Sequence, residues 1–173
     1  MTSPHLFRVC NYSNAPKSGV RRADVLAYRV VSRGDVWVML GIDADSGDIS
    51  TFSGSIRVPE TPVRGALREF DEESEQCFGD ISTSAIHDSI IVQYGAELLL
   101  LIKLEWNNKA IVDVFNANHT RKSEMKSLYI TTFRDLISAV KEPKSRVYEP
   151  TAAILLAIES NASHVASLEF LRV

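Results

Sequence analysis

Three carboxylates, Glu69, Glu72 and Glu73, fall within five consecutive residues of the segment Arg68-Glu69-Phe70-Asp71-Glu72-Glu73-Ser74. At about 100° per residue on a helix they share roughly a third of the circumference, beside the apolar stripe of Val63, Ala66, Leu67 and Phe70. One face can dock while its neighbour presents negative charge. Like charges this close on a helix destabilise it by roughly 0.2 to 0.5 kcal/mol per pair, so a compensating partner is expected. Clustered hard oxygen ligands suit Mg²⁺ or Mn²⁺, which are held by a few carboxylates, waters and substrate phosphates. Arg68 can meet Glu72 at i+4 and reach back to Glu60, so that Arg68 and Glu60 orient the carboxylates from behind.

A glutamate-rich stretch can also be a solvated helix face. The flanking residues argue otherwise. The segment Gly54 to Ser74 resembles the box of the Nudix hydrolase family: Gly, five residues, Glu, seven residues, Arg-Glu, a hydrophobic residue, any residue, Glu-Glu, any residue, Gly. Gly54, Glu60, Arg68, Glu69, Phe70, Glu72 and Glu73 all stand where that pattern wants them. At residue frequencies of about 6% each, six fixed identities in register arise by accident on the order of once in 10⁵ such chains. Two positions depart from the pattern: Glu75 replaces the terminal glycine, and Ser53-Gly54 replaces a Gly-Gly pair. With Cys77 continuing the apolar stripe, the first departure predicts a helix that runs on toward Gly79.

The resemblance implies a mixed α/β fold, a mixed β-sheet sandwiched between α-helices. It implies a metal set of the Gly54 carbonyl with Glu69, Glu72 and Glu73, joined by an acidic residue from a later loop. Glu124, just ahead of Tyr129, is the candidate for that residue, with Glu105 and Asp113 as alternatives. The implied reaction is metal-assisted hydrolysis of a diphosphate, with Glu69, Glu72, Glu73 and Arg68 as the catalytic group. Which glutamate accepts the proton stays open. The leading expectation is a pyrophosphohydrolase acting on a nucleoside diphosphate linked to another moiety, a nucleotide-type small molecule. Removal of the 5′ cap from RNA is the alternative enzyme reading, and a non-catalytic nucleotide-binding module the third. A homodimer is in keeping with a family member of this size.

The elements that must position this helix can be read from the same chain. Its 173 residues, 45% hydrophobic and 24% charged, suit one domain over 1–173, with 1–22 a polar, irregular lead-in. Val25 to Ser32 and Val36 to Ile42 read as a hairpin around Arg33-Gly34-Asp35, followed by a polar loop, Asp43 to Asp48. Thr61-Pro62 opens the carboxylate helix with an N-cap and a first-turn proline, and the apolar period runs to about Cys77. Ser89 to Tyr94 and Ala96 to Trp106 are strands, the unbroken Leu98 to Ile102 run marking a buried central one. Ala110 to Phe115 reads as another strand and Tyr129 to Thr132 as the last. Helices follow over Phe133 to Val140, Glu149 to about Glu159, and His164 to Leu171.

The net charge of −3 gives no global basic field for tight binding to a phosphate backbone. Two cysteines, Cys10 and Cys77, make neither a disulfide framework nor a zinc pattern. The start of the chain lacks the apolar run of a secretory signal, and no run is long enough to cross a bilayer. These features predict a cytoplasmic protein with no membrane association. His5, His87, His119 and His164 have no ligand spacing, and Trp37 and Trp106 fall in strand-like runs. Arg121, Lys122 and Lys126 bracket Glu124, and Lys141, Lys144 and Arg146 form a second loose cluster. Beside a metal site, such cations can contact phosphate.

Overall fold

A computed structural model describes residues 6–173, so His5 lies outside the described residues. Eight strands form one mixed sheet: β1 (Phe7–Asn11), β2 (Arg22–Val30), β3 (Val36–Asp43), β4 (Ile49–Ser50), β5 (Phe52–Ser55), β6 (Ile90–Tyr94), β7 (Glu97–Lys103) and β8 (Met125–Thr132). The order is β1-β6-β7-β2-β3-β4, with β5 paired to β2 and β8 paired to β3. β2 and β7 run parallel, and the other paired strands are antiparallel. Five helices accompany the sheet: α1 (Pro62–Glu73), α2 (Thr83–His87), α3 (Asn108–Asn118), α4 (Phe133–Lys141) and α5 (Glu149–Asn161). Among the described residues, no helix is long and apolar enough to cross a membrane.

Strand alternation divides the sheet between two cores. Leu26, Tyr28, Val38, Leu40, Leu99 and Leu101 face α4 and α5, which contribute Phe133, Leu136, Ile137, Ile154, Leu155 and Ile158. Val25, Ala27, Met39, Leu98, Leu100 and Ile102 face the other way, against Val63, Ala66 and Phe70 of α1 and Ile111 and Phe115 of α3. Covered on both sides, β7 is fully buried from Leu98 to Ile102, as its unbroken apolar run predicts. The expected sheet between helical layers is the observed architecture.

Four expectations need correction. The segment 110–115 is the middle of helix α3, not a strand. Asn107 caps it by accepting the Ala110 N–H at 3.0 Å, and Ile111 and Phe115 reach the core at helical spacing, which outweighs the β-branched Val112 and Val114. The lead-in is not irregular throughout: β1 adds to the sheet edge through β6, and β2 starts at Arg22 and ends at Val30. The segment after Val165 is a 3-10 turn, Ala166–Leu171, whose Leu168 and Leu171 are buried.

The fourth correction concerns α1. Thr61 caps it through Oγ1, which accepts the Arg64 N–H at 3.4 Å, and Pro62 opens its first turn, both as expected. It ends at Glu73, however, and does not run on toward Gly79. Glu75 takes φ 56° and Gln76 φ 54°, so the chain turns in the left-handed region where glycine is the usual residue. The turn persists without glycine because it is tied down: Asn118 of α3 donates to the Glu75 carbonyl at 2.8 Å, and Cys77 is buried in the α1 core.

Candidate metal centre

Helix α1 is docked by Phe70, whose ring packs edge-on to Phe52 at 5.3 Å between centroids and stacks on Phe78 at 5.5 Å. With that side fixed, the adjacent face turns its carboxylates toward β5 and the start of β8. Glu69, Glu73 and Glu124 each bring a carboxylate oxygen within 4.8 Å of the others. Glu124 stands one residue before β8, beside an irregularity in the β3–β8 register at Ile42 and Asp43, and its carbonyl accepts the Ala44 N–H at 2.8 Å. Bulges of this kind commonly re-aim a side chain at a sheet margin.

The N-terminal half of this face is organised around one guanidinium. Arg68 holds Glu60 with a two-armed contact, Nε to Oε2 at 3.1 Å and Nη2 to Oε1 at 2.8 Å, and also donates to the Ser55 carbonyl. Its Nη1 donates to Glu69 Oε1 at 2.5 Å and lies 3.6 Å from Glu72. The Arg57 N–H closes the loop onto Glu60 Oε1 at 2.6 Å. The Arg68 hydrogen bonds, seconded by that N–H, hold the Glu60 carboxyl down at about 2, and the Glu60 contact raises Arg68. The backward reach from Arg68 to Glu60 is therefore present.

The other half has no such partner among the described residues. Glu73 is 6% exposed, and burial pushes its carboxyl up to about 9, aided by a hydrogen bond with Glu124 and by the charges of Glu124 and Glu69. Only the Ser53 N–H, donating to Oε2 at 2.9 Å, opposes this. Gly54 explains how the carboxylates come so close to β5. A Cβ there would overlap the carboxyl end of Glu69, so a side chain at 54 would displace that carboxylate. Crowded, partly buried carboxylates whose repulsion the protein leaves uncompensated are the donor set a hard divalent cation fits.

Glu72 is not one of the three clustered carboxylates. Its side chain is 51% exposed, within 3.9 Å of Arg57, and it borders a cleft of about 190 Å³ with Glu73, Glu124 and Lys122. Glu105 is exposed, and Asp113 pairs with Lys109 on α3 at 3.2 Å, so neither joins the cluster. Arg146 is engaged elsewhere, on Ser46 and Asp48, and Lys141 on Glu159. Cys10 and Cys77 are free thiols. Trp37 and Trp106 flank Arg29, with its guanidinium 5.7 and 5.4 Å from their rings.

A second cleft, about 340 Å³, shares Glu73 with the first and opens toward Arg22, Ser53 and Tyr148. Sequence reasoning missed this side. Arg22 donates to Asp24 at 3.3 Å, to Tyr148 Oη at 3.4 Å and to Ser53 Oγ. Asp24 is 1% exposed, accepts the Thr51 hydroxyl at 2.8 Å, and is pushed up to about 6 by burial against the pull of Arg22. The available signal was a lone charge inside the apolar run Ala23-Asp24-Val25-Leu26, since a buried carboxylate needs partners.

No family model and no curated protein matches the sequence. Solved structures do match the fold. A Nudix hydrolase from M. smegmatis, RenU, is 12% identical, with 91% of this chain and 96% of that one covered at a TM-score of 0.53. A C. elegans Ap4A hydrolase is 15% identical over 84% and 99% at 0.51, and a MutT/nudix family protein from Enterococcus faecalis 12% identical over 91% and 69% at 0.54. At such identities the likeness is one of architecture: the mixed sheet, its two helical layers and the carboxylate-bearing helix make this a chain with the Nudix hydrolase fold.

Proposed function

We propose that the protein is a metal-dependent pyrophosphohydrolase that cleaves the diphosphate of a nucleoside diphosphate linked to another moiety. The observation that carries this reading is the convergence of Glu69, Glu73 and Glu124 beside Gly54. These three carboxylates would hold Mg²⁺ or Mn²⁺, with the Gly54 carbonyl as a further oxygen donor. A divalent ion there supplies charge neutralisation at the diphosphate and acidifies attacking water. Arg68, fixed by Glu60, orients Glu69. Glu72, half exposed at the edge of the cleft, accepts the proton as the water oxygen bonds to phosphorus and the bridging P–O bond breaks, leaving two phosphate monoesters.

The test uses a panel of nucleoside-diphosphate-linked compounds with Mg²⁺ or Mn²⁺. Glu73→Gln is expected to abolish turnover and weaken divalent-ion binding by calorimetry while the fold persists. Glu72→Gln is expected to lower kcat by about a hundredfold and retain most of the ion affinity. Equal rates in wild type and Glu73→Gln would overturn the reading. Lys122, beside Glu72, Glu73 and Glu124, favours a second reading in which the substrate is capped RNA. Activity confined to capped RNA and falling steeply with salt would select it.

A further inference from the structure

The cleft beyond Glu73 contains a cation that its neighbours hold in place. Arg22 lines the cleft, keeps 29% of its side chain exposed, and shares Ser53 with Glu73. The Ser53 hydroxyl contacts the guanidinium, and the Ser53 N–H donates to the carboxylate. Arg22 Nε donates to Asp24 Oδ1 at 3.3 Å and Nη1 to Tyr148 Oη at 3.4 Å, with the guanidinium 5.0 Å from the Tyr148 ring centroid. Of its five N–H donors, these contacts use one on each nitrogen; one on Nη1 and one on Nη2 take part in none of them. A fixed guanidinium with N–H groups to spare, at the margin of a metal site, is suited to the oxygens of a phosphate.

Behind Arg22 lies a polar network inside the core. Asp24 is 1% exposed, and Thr51 and Thr151 are fully buried. Asp24 Oδ2 accepts the Thr51 hydroxyl at 2.8 Å, the Thr51 and Thr151 hydroxyls lie 3.2 Å apart, and the Thr51 N–H donates to Thr151 Oγ1 at 3.4 Å. The contacts run from the first turn of α5, through residue 51 between β4 and β5, to β2. Both oxygens of Asp24 are committed, one to the core and one to Arg22. Its neighbours Ala23, Val25 and Leu26 are apolar and fully buried. Replacing a buried ion pair by apolar side chains is often neutral or stabilising, so packing alone does not call for a carboxylate at this position.

What the carboxylate supplies is orientation. A guanidinium tethered through Nε, and seated on an aromatic ring, loses little freedom when a ligand arrives, so more of the contact energy appears as affinity. We infer that Arg22 binds a substrate phosphate beside Glu73, and that Asp24, anchored by Thr51 and Thr151, is the positioning residue that aims it. The place of that phosphate within a scissile diphosphate rests on the hydrolase reading; the contact and its support do not.

Two measurements on the full chain with Mg²⁺ test this: calorimetry with methylenediphosphonate, whose P–C–P link resists hydrolysis, and steady-state kinetics on any compound of the panel that is cleaved. Arg22→Ala is expected to weaken diphosphonate binding by about ten- to a hundredfold, and Asp24→Asn, which keeps the shape and removes the charge, by about tenfold. In turnover both should raise KM by those factors, with kcat falling less. On the Arg22→Ala background, Asp24→Asn should change binding no further, because it acts through that side chain. A merely structural carboxylate would lower Tm in both backgrounds and leave KM alone. Should Asp24→Asn fail to fold, Thr51→Val, which removes the hydroxyl on Oδ2, is carried through the same cycle. Diphosphonate binding that is absent in the wild type, unchanged in Arg22→Ala, or weakened by the second substitution in full without Arg22 would overturn the inference. If no compound is cleaved while diphosphonate binding follows the expected pattern, the hydrolase reading falls and the phosphate site stands.

Discussion

The two ends of the carboxylate face on α1 solve the same electrostatic problem in opposite ways. Toward the N-terminus, Arg68 gathers Glu60, Glu69 and Glu72 around one guanidinium, and Glu60 is held ionised down to about 2. Toward the C-terminus, Glu73 meets Glu124 with no cation of its own, and burial with that neighbour lifts it to about 9. A guanidinium partners the first group, whereas among the described residues no cation pairs with Glu73 or Glu124. Glu69 joins the two ends, since it touches Arg68 and also belongs to the cluster with Glu73 and Glu124.

The sharpest way to break this contrast is to fill the space that lets Glu69 reach across. Gly54→Ala places a methyl on the Glu69 carboxyl, which cannot yield without releasing Arg68. Overpacking of this kind costs about 2 kcal/mol or more, and the displaced ligand should also reduce divalent-ion affinity strongly. Thermal unfolding and calorimetry check both; an unchanged Tm with unchanged ion affinity would refute the close approach. Glu60→Gln attacks the guanidinium end alone. It removes the charge that anchors Arg68, and metal affinity or kcat should fall by about ten- to a hundredfold, the usual effect of losing a group that orients a ligand. A variant indistinguishable from wild type would mean that Arg68 orients nothing.

The end without a cation is sharpened by pH. In the metal-free protein Glu73 keeps its proton to about pH 9, while an unfolded chain releases it near the ordinary carboxylate value of 4.5. Between those limits the folded state binds more protons, so stability falls as pH rises. Asp24, raised to about 6, adds the same slope only below its own value, which leaves the window from pH 6 to 9 to Glu73 among the raised carboxyls. Tm is therefore expected to decline across that window. Glu73→Gln should flatten the decline, and Mg²⁺ should raise Tm more at pH 8.5 than at pH 6.5, since it competes with the proton. A wild-type slope that survives Glu73→Gln would assign the effect elsewhere.

How much of this was legible in the sequence follows from the range of the interactions. Glu60, Arg68 and Glu69 sit within one loop and helix, so spacing alone placed them together, and Thr61-Pro62 placed the start of α1. The Leu98 to Ile102 run announced its own burial. The failures were of two kinds, local caps and turns that were overlooked and contacts distant in sequence. Segment 110–115 is rich in β-branched residues and reads as a strand until Asn107 caps it and α3 packs on the sheet. Arg22 meets Tyr148, and Asp24 meets Thr51, only after β2, the entry to β5 and the approach to α5 have assembled, and no period in the chain records those meetings. Glu124 was reached through a family resemblance, because a lone loop glutamate carries no spacing signal.

The smallest expected effect lies where the helix stops. Glu75 and Gln76 take positive φ, a backbone state costing a non-glycine residue about 1 to 2 kcal/mol, at the place where the box pattern carries glycine. Glu75→Gly should recover about 1 kcal/mol after the extra freedom glycine gives the unfolded chain, raising Tm by about 2 to 4 °C in a chain of this size. The side chain of Glu75 also borders the cleft of Glu72 and Glu73, so part of any gain could come from removing a negative charge. Glu75→Ala separates the two causes, since it removes the charge and keeps the strained backbone. A gain confined to the glycine variant assigns the cost to the left-handed turn; equal gains in both would place it in the acidic cleft, and the termination of α1 would then owe nothing to backbone strain.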